Sequence, residues 1–398
     1  MGLTVACVTI TAPGSVANLG PGLDSLALAV DLQNRYTVFA DLNGGSRQPS
    51  PFIELEGKHS SDERTRRPAS NFFLRSMKHA LRAISEKFHL PLPSYPLFVR
   101  EDVRIPPENG LGASASANVA GVLGAIGLLQ TVHDNHDFGG IRKNLEACAG
   151  LAMDNEVSPD GICASLGGKL AITYLTTDDE NHGDPLQSVR CDWQPVNTDA
   201  IRVTALIPNV KLLTAQSRNI LPDSYSRQDV ISNLSRANMI PRIFFTGQYE
   251  RLREAMRDRL HQPQRLAAFY KNDRNKVLDL DRVFREAYDA GAYGCCLGGA
   301  GSAIIAIHKP AVTTAVTLAL RSAFEKAASD TWSTVEVMTL SPVNEGADMT
   351  YGLATDPLPP DIEAWFRGEV RHEPSGTVTP HSNADLVSKT PFEWPRHV

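Results

Sequence analysis

From Val5 to Ala12 (VACVTITA) apolar and polar residues alternate, and the β-branched content predicts a strand that stops at Pro13 and Gly14. The stretch from Ser15 to Asp24 (SVANLGPGLD) is rich in turn formers, and Ser25 to Val30 is apolar again. Tyr36 to Ala40 and Phe52 to Glu56 read as strands around a polar hairpin, DLNGGSRQPS. Helical period follows from Asn71 to Phe88, where Phe72, Phe73, Met77, Ala80, Leu81 and Ile84 share a face. Leu97 to Ile105 predicts a strand broken by Pro106 and Pro107, and Gly110 to Ala117 opens a helix of small residues that runs to about Leu129. A second helix over about Phe138 to Met153 carries Ile141, Leu145, Cys148 and Leu151, then gives way to a loop from Asp154 to Gly161. Further strands are expected at Gly167 to Leu175 and Ile201 to Ile207, and further helices at Val230 to Phe245, Tyr249 to Leu260, Leu278 to Ala290 and Ala311 to Ser329. Ala292 to Ile307 has the form strand, glycine turn, strand. From about Tyr351 the period stops and Pro, Ser, Thr and Asp accumulate, which predicts a tail or extended arm and not a third domain. There is no repeat at a 20–50 residue period. The irregular succession of strands and helices favours α+β over a doubly wound sheet.

Composition narrows the class. The chain has 398 residues, 42% hydrophobic and 21% charged, which is globular and not disordered composition. Its length fits two domains or two large lobes. Lys+Arg number 39 against 45 Asp+Glu, so the net charge is 39 − 45 = −6. Without a Lys/Arg block, neither nucleic acid nor an anionic membrane is the expected partner. The dense charge run from Lys58 to Arg67 mixes both signs and reads as a solvated loop. Met1 to Ile10 shows no signal-peptide pattern, and the longest apolar stretch, Val119 to Leu129, falls short of the roughly 20 residues that span a bilayer. Cys7, Cys148, Cys163, Cys191, Cys295 and Cys296 lack CxxC spacing and are expected to be free thiols. A cytoplasmic small-molecule enzyme or an interaction module remains.

The strongest chemical signal is PPENGLGASAS, from Pro106 to Ser116. A strand ends, two glycines let backbone N–H groups converge, and a helix begins with its positive end facing the loop, an arrangement that suits phosphate. From the residues alone, a glycine turn that merely feeds a tightly packed helix reads equally well. GxxxxGK[ST] is absent, and GxGxxG fails because Ala115 stands where its last glycine belongs.

The segment resembles the phosphate loop of the GHMP kinases (galactokinase, homoserine kinase, mevalonate kinase, phosphomevalonate kinase), whose usual form is PxxxGLGSSA. Two more segments match that superfamily in order: APGSVANLGPGLDSL from Ala12 to Leu26, and GGAGSA from Gly298 to Ala303. Others are similar to homoserine kinase in particular: Asn71, EVSPD (Glu156 to Asp160), TAQSRNILP (Thr214 to Pro222), NLSR (Asn233 to Arg236) and DRLHQPQR (Asp258 to Arg265). The resemblance covers about residues 5–345.

It implies an ATP- and Mg2+-dependent kinase that phosphorylates the side-chain hydroxyl of L-homoserine or a closely related hydroxy amino acid. The implied fold is two-lobed α+β, with an N-terminal lobe like that of a small-subunit ribosomal protein, containing a left-handed βαβ unit, and a ferredoxin-like C-terminal lobe. The expected bounds are 1–195, 196–350 and a C-terminal extension 351–398, commonly as a homodimer. Carried over by position, Pro106, Gly110, Leu111, Gly112 and Ala113 through Ser116 (Ser114 and Ala115 between them) cradle the triphosphate, and Asn71 is the nucleotide-side amide. Ser114 and Glu156 match the metal ligands. Asn18 and Asp24 match contacts to the acceptor's hydroxyl and ammonium, and Arg218 and Arg265 match the carboxylate-binding pair, for which the planar guanidinium is suited. Ser158, Gly299 and Thr214 belong to the same pocket, and Asp160 orients the hydroxyl or accepts its proton, with Thr214 and Arg218 as the other catalytic positions. His261 matches a family His whose role is structural or catalytic.

The departures concentrate in the site. Ala113 replaces the first Ser of GLGSSA, Ser158 and Gly161 replace the His and Asn of EGHPDN, Gln264 replaces the Tyr of PYR, and GGAGSA stands for SGAGPT. Either the chain is a divergent homoserine kinase, or it is a paralogue that uses the same frame for another substrate or has lost kinase activity. Asp24, Arg218 and Arg265 predict a hydroxy amino acid under the first two.

Overall fold

The computed structural model describes residues 3–43, 51–60, 66–133, 138–153, 158–177, 180, 184–209, 214–269, 278–328, 332–355 and 357–369. The N-terminal lobe is organised by one long antiparallel hairpin, β1 (Val5–Ala17) and β2 (Leu26–Asp41). Each strand is longer than its periodicity suggests. Pro13 and Gly14 do not end β1, because the register shifts between them, and a bulge accommodates a proline that a regular ladder would reject.

β3 (Phe52–Glu56) runs parallel to β4 (Leu97–Asp102), and helix α1 (Phe72–Lys87) connects the two as a βαβ unit. β4 pairs with β2, β5 (Leu170–Leu175) extends from the first residues of β2, and β6 (Val189–Gln194) pairs with β5. Helices α2 (Ala113–Val132) and α3 (Pro159–Gly167) pack on this sheet with α1. α2 is long and apolar enough to cross a membrane, but 78% of that window is buried inside the protein, as befits a core helix. The single helix expected from Phe138 is interrupted at Asn144, whose side chain accepts from Ala147 N and starts a new helix, Leu145–Ala152.

The C-terminal lobe begins with β7 (Arg202–Pro208) and continues through α4 (Thr214–Asn219), α5 (Arg227–Ala237), α6 (Gln262–Phe269) and α7 (Leu280–Asp289). β8 (Ala292–Leu297), β9 (Ile304–His308), α8 (Thr313–Ala328) and β10 (Thr334–Leu340) follow. The sheet order β10-β7-β9-β8, antiparallel throughout, with α7 and α8 packed on it, is the ferredoxin-like arrangement. Val16, Leu28, Leu111, Met256 and Ile305 form a core shared by the two lobes.

The expected tail is partly a correction. Residues 351–353 belong to β11 (Asp348–Leu353), which pairs with β1 from Thr11↔Asp348 to Ala6↔Leu353, so a boundary at 350 cuts through a strand. Helix α9 (Pro360–Arg367) then buries Ile362, Trp365 and Phe366 against Val5, Phe39 and Phe98. The Trp365 and Phe98 rings meet edge to face at 5.4 Å. Two turns of helix carry too few apolar positions to register as a period. Residues 370–398 of that tail lie outside the described residues. Because Ile362 is fully buried, Ile362→Ala should lower the unfolding free energy by about 2 kcal/mol in equilibrium urea denaturation. An unchanged midpoint would mean that α9 does not stabilise the lobe.

Candidate active site

Beyond β4 the backbone is steered by Asn34, whose Oδ1 accepts the N–H groups of Arg104 (2.8 Å) and Ile105 (2.9 Å). Gly110 and Gly112 then adopt φ of 77° and 82°. Close packing demands glycine as well: a Cβ on Gly110 would lie 1.9 Å from the Gly298 carbonyl oxygen, and one on Gly112 would lie 2.6 Å from Ser15 Oγ. The loop is thus clamped between β1 and the β8–β9 turn. Asn109 fastens it, donating to Ser302 Oγ (2.8 Å) and accepting from Ala303 N (3.0 Å). α2 starts at Ala113 with Gly112 as N-cap and no side-chain capping bond. Gly112, Ala113 and Ser114 remain partly exposed at the positive end of a 20-residue helix, whose first-turn N–H groups suit an anion.

Several expected nucleotide contacts turn inward. Pro106, Leu111 and Ala115 are buried, and Ser116 donates to the Ala12 carbonyl (2.9 Å). The Asn71 side chain is 1% exposed; it caps α1 by accepting from Leu74 N (2.8 Å) and donates to Glu101 Oε1 (2.7 Å). Burial pushes the Glu101 carboxyl up to about 7, against the opposing pull of Asn71.

The acceptor side is built on the β1–β2 loop, where Asn18, Leu19 and Asp24 take left-handed backbone conformations. Asn18 holds it with Nδ2 donating to Gly299 O (2.9 Å), Oδ1 accepting from Asp24 N (3.0 Å) and its own N–H donating to Asp160 Oδ2 (3.1 Å). Asp160 lies fully buried in the first turn of α3. Ser158 Oγ sits 2.9 Å from Asp24 Oδ1 and 2.6 Å from Asp160 Oδ1. One hydroxyl proton cannot serve two carboxylates, so this arrangement is complete when one of them is protonated. Burial, and then the charge of Asp24, push Asp160 up to about 6, so it holds a proton in mild acid and is ionised above that. A Cβ on Gly161 would lie 3.5 Å from that of Ala115, so the first turns of α3 and α2 abut and Asp160 stands beside the phosphate-type loop.

Two guanidinium groups complete the pocket. Arg218, in α4, grips Asp24 with Nη1 to Oδ2 at 3.1 Å and Nη2 to Oδ1 at 3.0 Å. Arg265, in α6, is 3% exposed; its Nη1 donates to Gly299 O (2.9 Å) and His261 Nδ1 (2.8 Å), while Nε has no partner. Burial lowers it only to about 10, so it remains a cation with an unused donor. Thr214 opens α4 one turn before Arg218, and Glu156 lies outside the described residues. Among the described residues no group of three His, Cys, Asp or Glu side chains is placed to hold a metal.

The structure therefore brings Asn18, Asp24, Ser158, Asp160, Arg218, Arg265 and Gly299 together, and revises two expectations. Asp24 and Arg218, assigned to opposite ends of an acceptor, bind each other. Ser158, which stands where the family has a His, joins the two carboxylates, a role without local signal because its partner Asp24 is 134 positions away.

Residues 242–326 match the family described as GHMP kinases C terminal. A homoserine kinase from Synechococcus sp. (strain CC9605) is 30% identical over 320 residues, 80% of this chain and 90% of that protein. Among solved structures, a homoserine kinase from Cytophaga hutchinsonii superposes with a TM-score of 0.64 at 19% identity, covering 86% of this chain and 97% of that one. A mevalonate diphosphate decarboxylase from Enterococcus faecalis does so with a TM-score of 0.56 at 14% identity, covering 87% and 99%. The two structural likenesses show a shared fold. The sequence match, over that length and with the glycine loop and the acceptor-side residues in place, shows the kinship: the chain belongs to the GHMP kinase superfamily, within its homoserine kinase family.

Proposed function

We propose that the protein transfers the γ-phosphoryl group of ATP to the side-chain hydroxyl of L-homoserine or a closely related hydroxy amino acid. One observation carries the reading: Asn18 joins Asp160, which stands beside the N-terminus of α2, to the Gly299 carbonyl that also holds the buried Arg265 with its free donor, and Ser158 joins Asp160 to the carboxylate of Asp24. An α-amino acid presents an ammonium to Asp24 and a carboxylate to Arg265 and Arg218, which leaves its side chain directed at Asn18 and Asp160. Asp160, ionised, takes the hydroxyl proton as that oxygen attacks the γ-phosphorus and ADP departs. The loop amides from Gly110 to Ala115 hold the phosphates in line, so positioning and charge neutralisation do most of the work. Magnesium carried by a triphosphate needs few protein ligands. Ser114, partly exposed in the first turn of α2, suits that role with Glu156, and the bound ion would neutralise phosphate charge.

Purified protein should release ADP in a coupled assay with L-homoserine; no ADP with homoserine, threonine or serine would sink the substrate assignment. Gly110→Ala, which drives a Cβ against the Gly298 carbonyl, should raise the KM for ATP about tenfold; an unchanged KM would take the loop out of nucleotide binding. A second reading, ligand binding without phosphoryl transfer, draws support from the missing hydroxyl at Ala113 and from the mutual Asp24–Arg218 pair, which occupies the pocket's charges. Calorimetry with ATP and magnesium separates the two, since a kinase must bind them. The proposal includes a cytoplasmic homodimer. Six free cysteines fit a reducing compartment, and a sedimentation mass of one chain would remove the dimer.

A further inference from the structure

His261 has no part in the chemistry above, yet it is fully buried between the two halves of the acceptor pocket. Its Nε2 lies 2.7 Å from the Gly20 carbonyl, in the loop that carries Asn18 and Asp24, and its Nδ1 lies 2.8 Å from Arg265 Nη1. A carbonyl only accepts and a guanidinium only donates, so Nε2 carries the proton and Nδ1 is bare. The ring is itself held by a polar chain. Asp258 accepts the N–H groups of Leu260 (3.1 Å), His261 (2.9 Å) and Gln262 (2.6 Å). Asn233 donates to Asp258 Oδ1 (2.9 Å) and to the Pro21 carbonyl (3.1 Å), tying the same loop from the other side.

The consequence falls on Arg265. Its Nη1 is consumed by His261 Nδ1 and Gly299 O, which fixes the plane of the fork and leaves the Nε edge for an anion. We propose that His261, as the neutral Nε2–H tautomer, is a positioning residue that aims the Arg265 guanidinium at the acceptor's carboxylate and locks it to the Asn18–Asp24 loop. This rests on the reading of Arg265 as a carboxylate ligand. The charged groups facing the ring are Asp258, 3.7 Å from Nε2, together with Arg265 and Asp24. Burial holds the ring down at about 4, with Asp258 opposing and Arg265 reinforcing, so it stays neutral at any working pH.

Two isosteres divide the role. Asn at 261 places an amide oxygen near Nδ1 and keeps the acceptor for Arg265, whereas Gln reaches the Nε2 position and keeps only the donor to Gly20. The KM for L-homoserine should rise about tenfold in His261→Gln and stay within about threefold in His261→Asn, with the KM for ATP within about twofold in both. Any other order, including equal effects in the two variants, overturns the proposal. Arg265→Ala is the control: if it leaves the acceptor KM unchanged, the reading of the pocket fails instead. Should the variants not fold, the wild-type protein with 15N-labelled histidine decides. From pH 6 to 8 the His261 ring should show a bare Nδ1 and a protonated Nε2; the opposite tautomer, or a ring that titrates in that window, overturns the proposal.

Discussion

Asp160→Asn should lower kcat by about 10³ while the protein melts no earlier than wild type at pH 8. The first part follows from loss of the proton acceptor, and general base catalysis contributes roughly 10²–10⁴ in rate. The second follows from the geometry at Ser158, whose hydroxyl lies within hydrogen-bond range of both Asp24 and Asp160. An amide at 160 can donate to Ser158 Oγ, freeing that hydroxyl for Asp24, while its oxygen still accepts from Asn18 N. Linkage has a definite sign here. The folded pKa of Asp160 is raised from 3.8 to about 6, so its favourable contribution to folding is present below the lower value and is lost as pH rises through the upper one. Above about pH 6 the ionised, buried carboxylate opposes folding, and Asn removes that cost. Wild-type kcat/KM should accordingly climb as pH rises through about 6, and the acid limb should be missing from the variant's residual activity. A variant that keeps the limb, or keeps more than a tenth of the wild-type rate, would show that Asp160 is not the base.

Arg218→Ala should raise the KM for L-homoserine about 10²-fold, with the KM for ATP and the melting temperature little changed. The loss corresponds to roughly 2.7 kcal/mol, the scale of a charge-assisted, bidentate contact. Arg218 grips Asp24 in the structure, so a zwitterionic acceptor has to exchange that pair for its own two charges. An amino alcohol, which has the ammonium but no carboxylate, provides the internal check. Wild type should use it poorly, and Arg218→Ala should use it no worse, because the missing arginine had no carboxylate to hold. Equal penalties for both acceptors would assign Arg218 to the loop and not to the substrate.

What was legible in the chain was local. The period from Asn71 to Phe88 differs by one residue at each end from α1, since an amphipathic stripe and an Asn N-cap are encoded within one stretch. PPENGLGASAS was readable as a loop because glycine adopts left-handed backbone without strain, as Gly110 and Gly112 do, and the ordered segments around it pointed to the family. Other features escaped for physical reasons. Pro13 signalled a strand end, but pairing with β2 carries the chain through a bulge. The turn formers after Tyr351 concealed a strand that takes its stability from β1 and a short helix that takes it from Phe39, Phe98 and Val5. The sequence by itself determined the two-lobed class, the phosphate-type loop and the kinds of side chain in the pocket. Only the tertiary structure decided which of them meet: Arg218 and Asp24 are 194 positions apart, and Arg265 and Gly299 are 34 apart. It also decided that Asp160 gives up its proton only as pH rises through about 6 and that the buried Nε of Arg265 has no partner, because burial and neighbouring groups set both, and neither is a property of the residue type.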